Sequence, residues 1–233
     1  VPLLLPPFVG AIGLEALLGR FGAVNALLVD MGLQDWSSGG IDFLGGEWLP
    51  DFAPFNWIDG RFVSVVIMEA LHLYPIVYLN VTAALANLDP ALNEAAVNLG
   101  AGRWTRFRRV TLPLILPGVF AGSTIVFIWS FTELGTPLMF DFYEVTPVQV
   151  FWGIQEIEHN PRPYALVVVM LVVAVLLYLL GKFAFGGRAY AMQSKASIAA
   201  TTTQLRGGTG LGATLLFLLV IGLAVLPHIG VIL

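Results

Sequence analysis

The sequence predicts an all-α fold, a polytopic bundle of transmembrane helices, on three observations. Hydrophobic residues fill 58% of the 233 positions and charged residues only 11%, against about 25% charged in a soluble domain. Apolar stretches near the length needed to cross hydrocarbon, about 20 residues, recur along the chain. The segments between them alternate in their balance of acidic and basic residues. Cysteine is absent, which excludes disulfides and thiolate metal sites. The eleven basic residues are split among separate loops, which argues against a nucleic-acid-binding stripe. No run of alternating polar and apolar residues suggests a β-barrel.

Taken in order, residues 1–18 read as the tail of a span whose start is bent or broken by Pro2, Pro6 and Pro7. Residues 20–61 set Arg20 and Arg61 against six acids and carry Trp36, Trp48 and Trp57 among glycines and aspartates. Those tryptophans suit short helices at the interface or a cover over helix ends, and the segment is expected to be a partly ordered extracytoplasmic cap. Residues 62–85, 112–131 and 164–185 are full spans, and 211–233 is a further one. Residues 86–111 hold four arginines; residues 181–210 hold Lys182, Arg188, Lys195 and Arg206 with no acid. Residues 134–163 hold Arg162 against Asp141, Glu144, Glu156 and Glu158. Loops rich in Lys and Arg stay inside, so 86–111 and 181–210 are cytoplasmic and the two acidic segments lie outside. The small, polar, glycine-flanked residues 186–210 have the composition of a flexible linker. Both chain ends fall in apolar runs, which leads to the expectation of an internal piece of a longer protein.

The most informative stretch is NEAAVNLGAGRWTRFRRVTLPLILPG, residues 93–118. Asp89 and Pro90 suit a helix start, a short helix of good formers follows, and Gly100 and Gly102 break it. A second short helix is expected over 104–110, with Leu112 and Pro113 opening the next span. The whole is a helix–turn–helix on the cytoplasmic face, tied at both ends to spans. By themselves, the arginines would orient the loop and touch lipid headgroups.

Glu94, Ala95 and Ala96, then Gly100, Phe107, Leu112, Pro113 and Pro117, resemble in type and spacing the EAA loop of ABC importer permeases. The resemblance implies the fold of the type I importer permeases and a coupling role for residues 89–111 against cytoplasmic ATP-binding subunits. It implies that Glu94 makes a polar contact with the ATPase, that Ala95 and Ala96 keep that surface low, and that Gly100 allows the turn. Phe107 would be an apolar anchor and Pro113 would fix the exit into the membrane. An extracytoplasmic substrate-binding protein would deliver solute to the outer face. LLLPPFVGAIGLEALLGRFGAVNALL and FTELGTPLMFDFYEVTPVQVFWGI look like the flanking stretches of fused ferric iron permeases, in which two halves share one polypeptide. That likeness implies a first bundle over 1–185 lacking its N-terminal part, a cytoplasmic linker over 186–210 and the start of a second half over 211–233. Thiamine, aminophosphonate and polyamine permeases share much of it, and a channel or scaffold independent of an ATPase is the competing class.

Glu69 and His72 lie three apart inside a span, and so on one helix face, followed by Tyr78; Glu133 ends the next span. Ionisable groups in a span face a bundle interior or a watery path. Glu69, His72, Tyr78 and Glu133 either line the translocation route or make hydrogen bonds between helices. No further metal-ligand spacing accompanies them. Gly118 and Gly122 are spaced for close helix packing. A phosphate-binding GxxxxGK[ST] loop is absent, so ATP hydrolysis is expected in a partner and not in this chain; no cofactor is implied.

Overall fold

The computed structural model describes residues 6–45, 60–156, 158–185, 205 and 207–232. Among them ten α-helices succeed one another without a strand: α1 Pro7–Leu18, α2 Ala23–Asp30, α3 Gly60–Ala86, α4 Pro90–Asn98, α5 Arg103–Arg106, α6 Leu112–Thr132, α7 Gly135–Met139, α8 Thr146–Gly153, α9 Arg162–Phe185 and α10 Gly208–Ile232. Five stretches are long and apolar enough to cross a membrane: Pro7–Asp30, Gly60–Ala86, Arg103–Thr132, Arg162–Phe183 and Gly208–Ile232. The all-α transmembrane expectation therefore holds, with one difference in where a helix starts. α1 ends at Leu18, the expected end of the first apolar run, and after a turn at Gly19–Gly22 a further apolar helix, α2, follows. The helix that carries the span expected from Leu112 starts earlier, at Arg103, for a reason given below. Trp48, Trp57, Pro2 and most of the 186–210 linker lie outside the described residues.

The helices divide into two compact units. The first comprises Val1–Leu73, Thr132–Met170 and Gly212–Leu233. Its core joins Ala11 and Leu14 of α1 to Val65 and Met68 of α3 and to Phe140 and Phe142 beyond α7. Phe62 and Phe142 meet with ring centroids 5.7 Å apart. Glycines set the approach of α1 to α10: a Cβ on Gly13 would strike the Pro227 carbonyl, and one on Gly230 would strike the Gly13 carbonyl. Small residues of this kind let helix backbones close on each other in lipid.

In this unit, fully buried Asn25 fastens the loop after α2. Its amide donates to the carbonyls of Gly19 (3.0 Å) and Ile41 (2.9 Å) and accepts from the Ile41 N–H (3.0 Å). Trp36 begins a 3₁₀ turn whose preceding Asp35 accepts from the Ser37 N–H. That hydrogen bond holds the Asp35 carboxyl below its ordinary range. The Asn25 contacts tie the chain at Ile41, beyond that turn, back to α2. Asp141, at φ +53°, takes a left-handed turn that Asp tolerates better than most residues. The Arg61 guanidinium donates to its carbonyl and the Tyr143 hydroxyl donates to its carboxylate at 2.6 Å; the latter bond raises the Tyr143 phenol above its usual range.

The second unit comprises Tyr74–Phe131 and Leu171–Leu211. Here a Cβ on Gly118 would crowd Ala84 and the Asn80 carbonyl, and one on Gly122 would come within 3.1 Å of the Val77 Cα. The spaced glycine pair therefore lies against the second half of α3. Gly181 of α9 gives room to the Phe120 ring of α6 in the same way.

Gly13→Ala and Gly230→Ala are expected to lower the thermal stability of the detergent-solubilised protein by about 1–3 kcal/mol each, the usual cost of overpacking. Gly222→Ala, where a new Cβ meets nothing within 4 Å, should be neutral or stabilising by up to about 1 kcal/mol from helix propensity. Calorimetry or a thermal-shift series on the three variants checks the contrast.

Candidate functional site

The loop between α3 and α6 is built from local chemistry. The Asp89 carboxylate accepts from the Ala91 N–H at 2.9 Å and Pro90 occupies the first turn of α4, so the expected helix start is present. The end of α4 follows a two-bond closing pattern: the Gly100 N–H donates to the Val97 carbonyl (2.8 Å) and the Ala101 N–H to the Ala96 carbonyl (3.0 Å). This closure places the residue after the cap in the left-handed region, and Gly100 has φ +78°. Gly102 is different. It precedes α5 with φ −65°, which any residue adopts, so the break rests on Gly100 alone.

The expected second short helix is not a separate element. α5 passes through one π turn, Phe107–Thr111, straight into α6. The Leu112 N–H reaches back five residues to the Phe107 carbonyl. The position of this turn has a physical reason. Pro113 has no N–H, and in a regular α-helix its ring would press on the carbonyl four residues earlier; widening the preceding turn relieves that clash without ending the helix. Pro113 thus marks a reshaped turn inside a continuous rod and not a corner between two separate helices. Pro117 also lies inside α6.

No residue of α4 is buried. Glu94 and Ala95 are exposed and Ala96 is half-buried, while Leu92, Val97 and Leu99 also stand open. α4 is held to the rod by Arg106, whose Nη1 donates to Asn93 Oδ1 at 3.1 Å. Phe107 is exposed and stacks on Trp104 with centroids 5.7 Å apart.

The polar residues of the spans are brought together only in part. Glu69 and His72 are both buried on one face of α3, in the first unit. Glu69 lies beside Thr136 and within reach of the Glu133 charge, yet neither carboxylate oxygen has a hydrogen-bond partner among the described residues. Glu133 Oε1 instead accepts from the N–H groups of Gly135 and Thr136 at the start of α7. Tyr78 is half exposed and belongs to the part of α3 in the second unit. Two residues were missed by sequence reasoning. Thr136 is fully buried beside Glu69. His228 lines a narrow recess together with His72, Gly10, Met68 and Pro227, and both of its ring nitrogens are buried with no hydrogen-bond partner among the described residues. The rule that singles out ionisable groups in spans applies to His228 as it does to His72.

The family described as binding-protein-dependent transport system inner membrane component matches residues 1–187. Curated relatives include the putative ferric transport system permease protein FbpB 1 of Haemophilus influenzae, 25% identical over 89% of this chain and 30% of its own length. The molybdenum transport system permease protein ModB of Escherichia coli K12 is 34% identical over 60% of this chain and 52% of its length. The spermidine/putrescine transport system permease protein PotB of H. influenzae is 33% identical over 49% of this chain and 34% of its length. The chain therefore spans between about a third and half of these relatives. No solved structure matches it. Permeases of this kind are membrane components of transporters and are not themselves catalytic. With its helical architecture and five apolar stretches, this chain belongs to the binding-protein-dependent transport system inner membrane components, as a multi-pass protein of the bacterial inner membrane with the bundle of a type I ABC importer permease.

Proposed function

We propose that this chain is the translocating part of an ATP-driven importer and that residues 89–111 receive force from cytoplasmic ATP-binding subunits. One observation carries the reading. α4 is a short helix with no buried residue, exposing Leu92, Val97 and Leu99, and such an apolar surface in water is suited to a partner. Its neighbour in sequence is a rod hydrogen-bonded into the membrane. Glu94, Ala95 and Ala96 form the contact face, Gly100 the turn, and Phe107, Leu112, Pro113 and Pro117 the path of the rod. An extracytoplasmic binding protein would meet the acidic outer segments. Residues 1–185 would be one permease bundle, 186–210 a linker and 211–233 the opening of a second half; the family match ending at residue 187 and the greater length of the ferric relatives support that division.

Ferric iron is the proposed substrate, supported by the ferric transport relatives that align over 89% of the chain. A second reading, an oxyanion such as molybdate, is favoured by the higher identity to ModB over a shorter stretch. Glu69 and His72 are proposed to face the path, with Glu133 holding α7 beside it. Hard carboxylate oxygen and imidazole nitrogen suit a ferric ion better than an oxyanion, so the two substrates make different demands on Glu69.

Glu94→Arg is expected to weaken capture of the ATP-binding subunits by about tenfold, the worth of one charged hydrogen bond reversed, and to reduce uptake without loss of membrane insertion. Gly100→Pro, which forbids the observed positive φ, should abolish uptake. Full uptake in both variants would remove the coupling role. Glu69→Leu should raise thermal stability by about 1–3 kcal/mol, the cost of a buried unpaired group, and depress uptake of radiolabelled iron in proteoliposomes. Undiminished uptake would take Glu69 out of the path, and uptake of labelled molybdate in place of iron would decide for the second substrate.

A further inference from the structure

We infer that Arg103, Trp104 and Arg108 form a docking surface for anionic phospholipid headgroups, on the side of the cytoplasmic elbow that α4 leaves free. The candidate span Arg103–Thr132 has 30 residues, about 45 Å at the α-helical rise. The hydrocarbon core is only about 30 Å thick. With Thr132 at the outer boundary, roughly the first ten residues of the rod run through the headgroup layer. Trp104 is 70% exposed at that height, where an indole is at home between chains and water, and the Phe107 ring it stacks on braces it. Arg108 follows Trp104 by four residues and so shares its helix face, and Arg103 precedes it at the start of the rod. Arg103, Arg108 and Arg109 are all exposed, and no hydrogen bond or ion pair ties them to the described residues. Arg106 differs, being turned to Asn93 of α4.

Charge complementarity favours lipid as the occupant. No acidic residue occurs between Glu94 and Glu133, so nothing along this rod neutralises the cations. A guanidinium presents a planar fork that matches phosphate oxygens, and the cytoplasmic leaflet is anionic. The acid of the loop sits apart, at Asp89 and Glu94, on the α4 side. The elbow thus carries an acidic and apolar helix and a cationic and aromatic one, and the second sits at lipid height. Lipid bound there would pin the rod at the membrane surface whether or not an ATPase is engaged.

The test uses the full chain in nanodiscs with no ATP-binding subunit present, so that it stands or falls apart from the coupling reading. The emission of Trp104 is obtained as the difference from Trp104→Phe, and is quenched by phospholipid spin-labelled close to the headgroup. Labelled phosphatidylglycerol is expected to quench at least about threefold more than labelled phosphatidylcholine at equal mole fraction, since each arginine near the surface strengthens attraction roughly fivefold. High salt should shrink the preference by screening. Arg103→Gln/Arg108→Gln should lose the preference yet keep shallow quenching, which shows that the rod is still inserted; Arg103→Lys/Arg108→Lys should retain both. Equal quenching by the two lipids, or a preference unchanged in the Gln variant, would overturn the proposal. So would a Trp104 open to aqueous acrylamide and shielded only when ATP-binding subunits are added, which would make the surface a protein contact.

Discussion

A membrane offers the backbone no water, and every N–H and C=O inside it must find a partner within the protein. Each unsatisfied group costs several kcal/mol, more than any single side-chain preference in this chain. That constraint decides how its prolines are handled. Pro75, Pro117 and Pro227 all sit inside helices, where each removes one donor, and none ends its helix. Where the disturbance is greatest, before Pro113, the helix widens by one residue and the Leu112 N–H finds the Phe107 carbonyl. Asn80 obeys the same rule with its side chain, whose amide donates to the Ile76 carbonyl of its own helix at 2.8 Å.

The constraint relaxes where the chain leaves hydrocarbon, and the loop chemistry changes there. Asp89 can cap a helix and Gly100 can close one because water and short-range hydrogen bonds serve the freed groups. Flexible geometry and rigid geometry are therefore sorted by depth. Gly100 is the one residue of the elbow whose backbone requires glycine, and it lies between α4 and α5, away from the membrane boundary. The boundary itself is crossed by a continuous hydrogen-bonded rod. A load applied to α4 would be taken up as bending at Gly100 or passed through the Arg106–Asn93 contact into that rod.

The parts of this architecture legible in the sequence were those fixed by composition over long windows. Spans, their number and the helical class follow from apolar length, and the short helix α4 follows from Asp89, Pro90 and a run of good formers. What escaped was set by pairs of distant residues or by a single peptide. The π turn depends on how one proline is accommodated; the residues Phe107 to Thr111 taken alone favour an ordinary helix. Asn25 reads as one polar residue in an amphipathic turn, and only the fold brings Gly19 and Ile41 to its amide. Thr136 and His228 became part of the polar face of the first unit by packing alone. Tyr78 lies six residues beyond His72, in the half of α3 assigned to the other unit.

The glycine contacts connect these levels. Lipid chains are as apolar as leucine, so burial of leucine gives no drive for one helix to seek another. The close approaches of α1 to α10 and of α6 to the second half of α3 accordingly occur at Gly13, Gly230, Gly118 and Gly122, while α9 presents an apolar and mostly exposed surface along its length. Hydrophobicity puts these segments into the membrane, and the absence of a side chain determines which of them touch. The carboxyl of Glu69 has no such freedom: three residues from His72 and beside Thr136, it remains buried with both oxygens unpaired. Burial without a hydrogen-bond partner among the described residues costs stability, so Glu69 is the position at which a substitution separates packing from any other role.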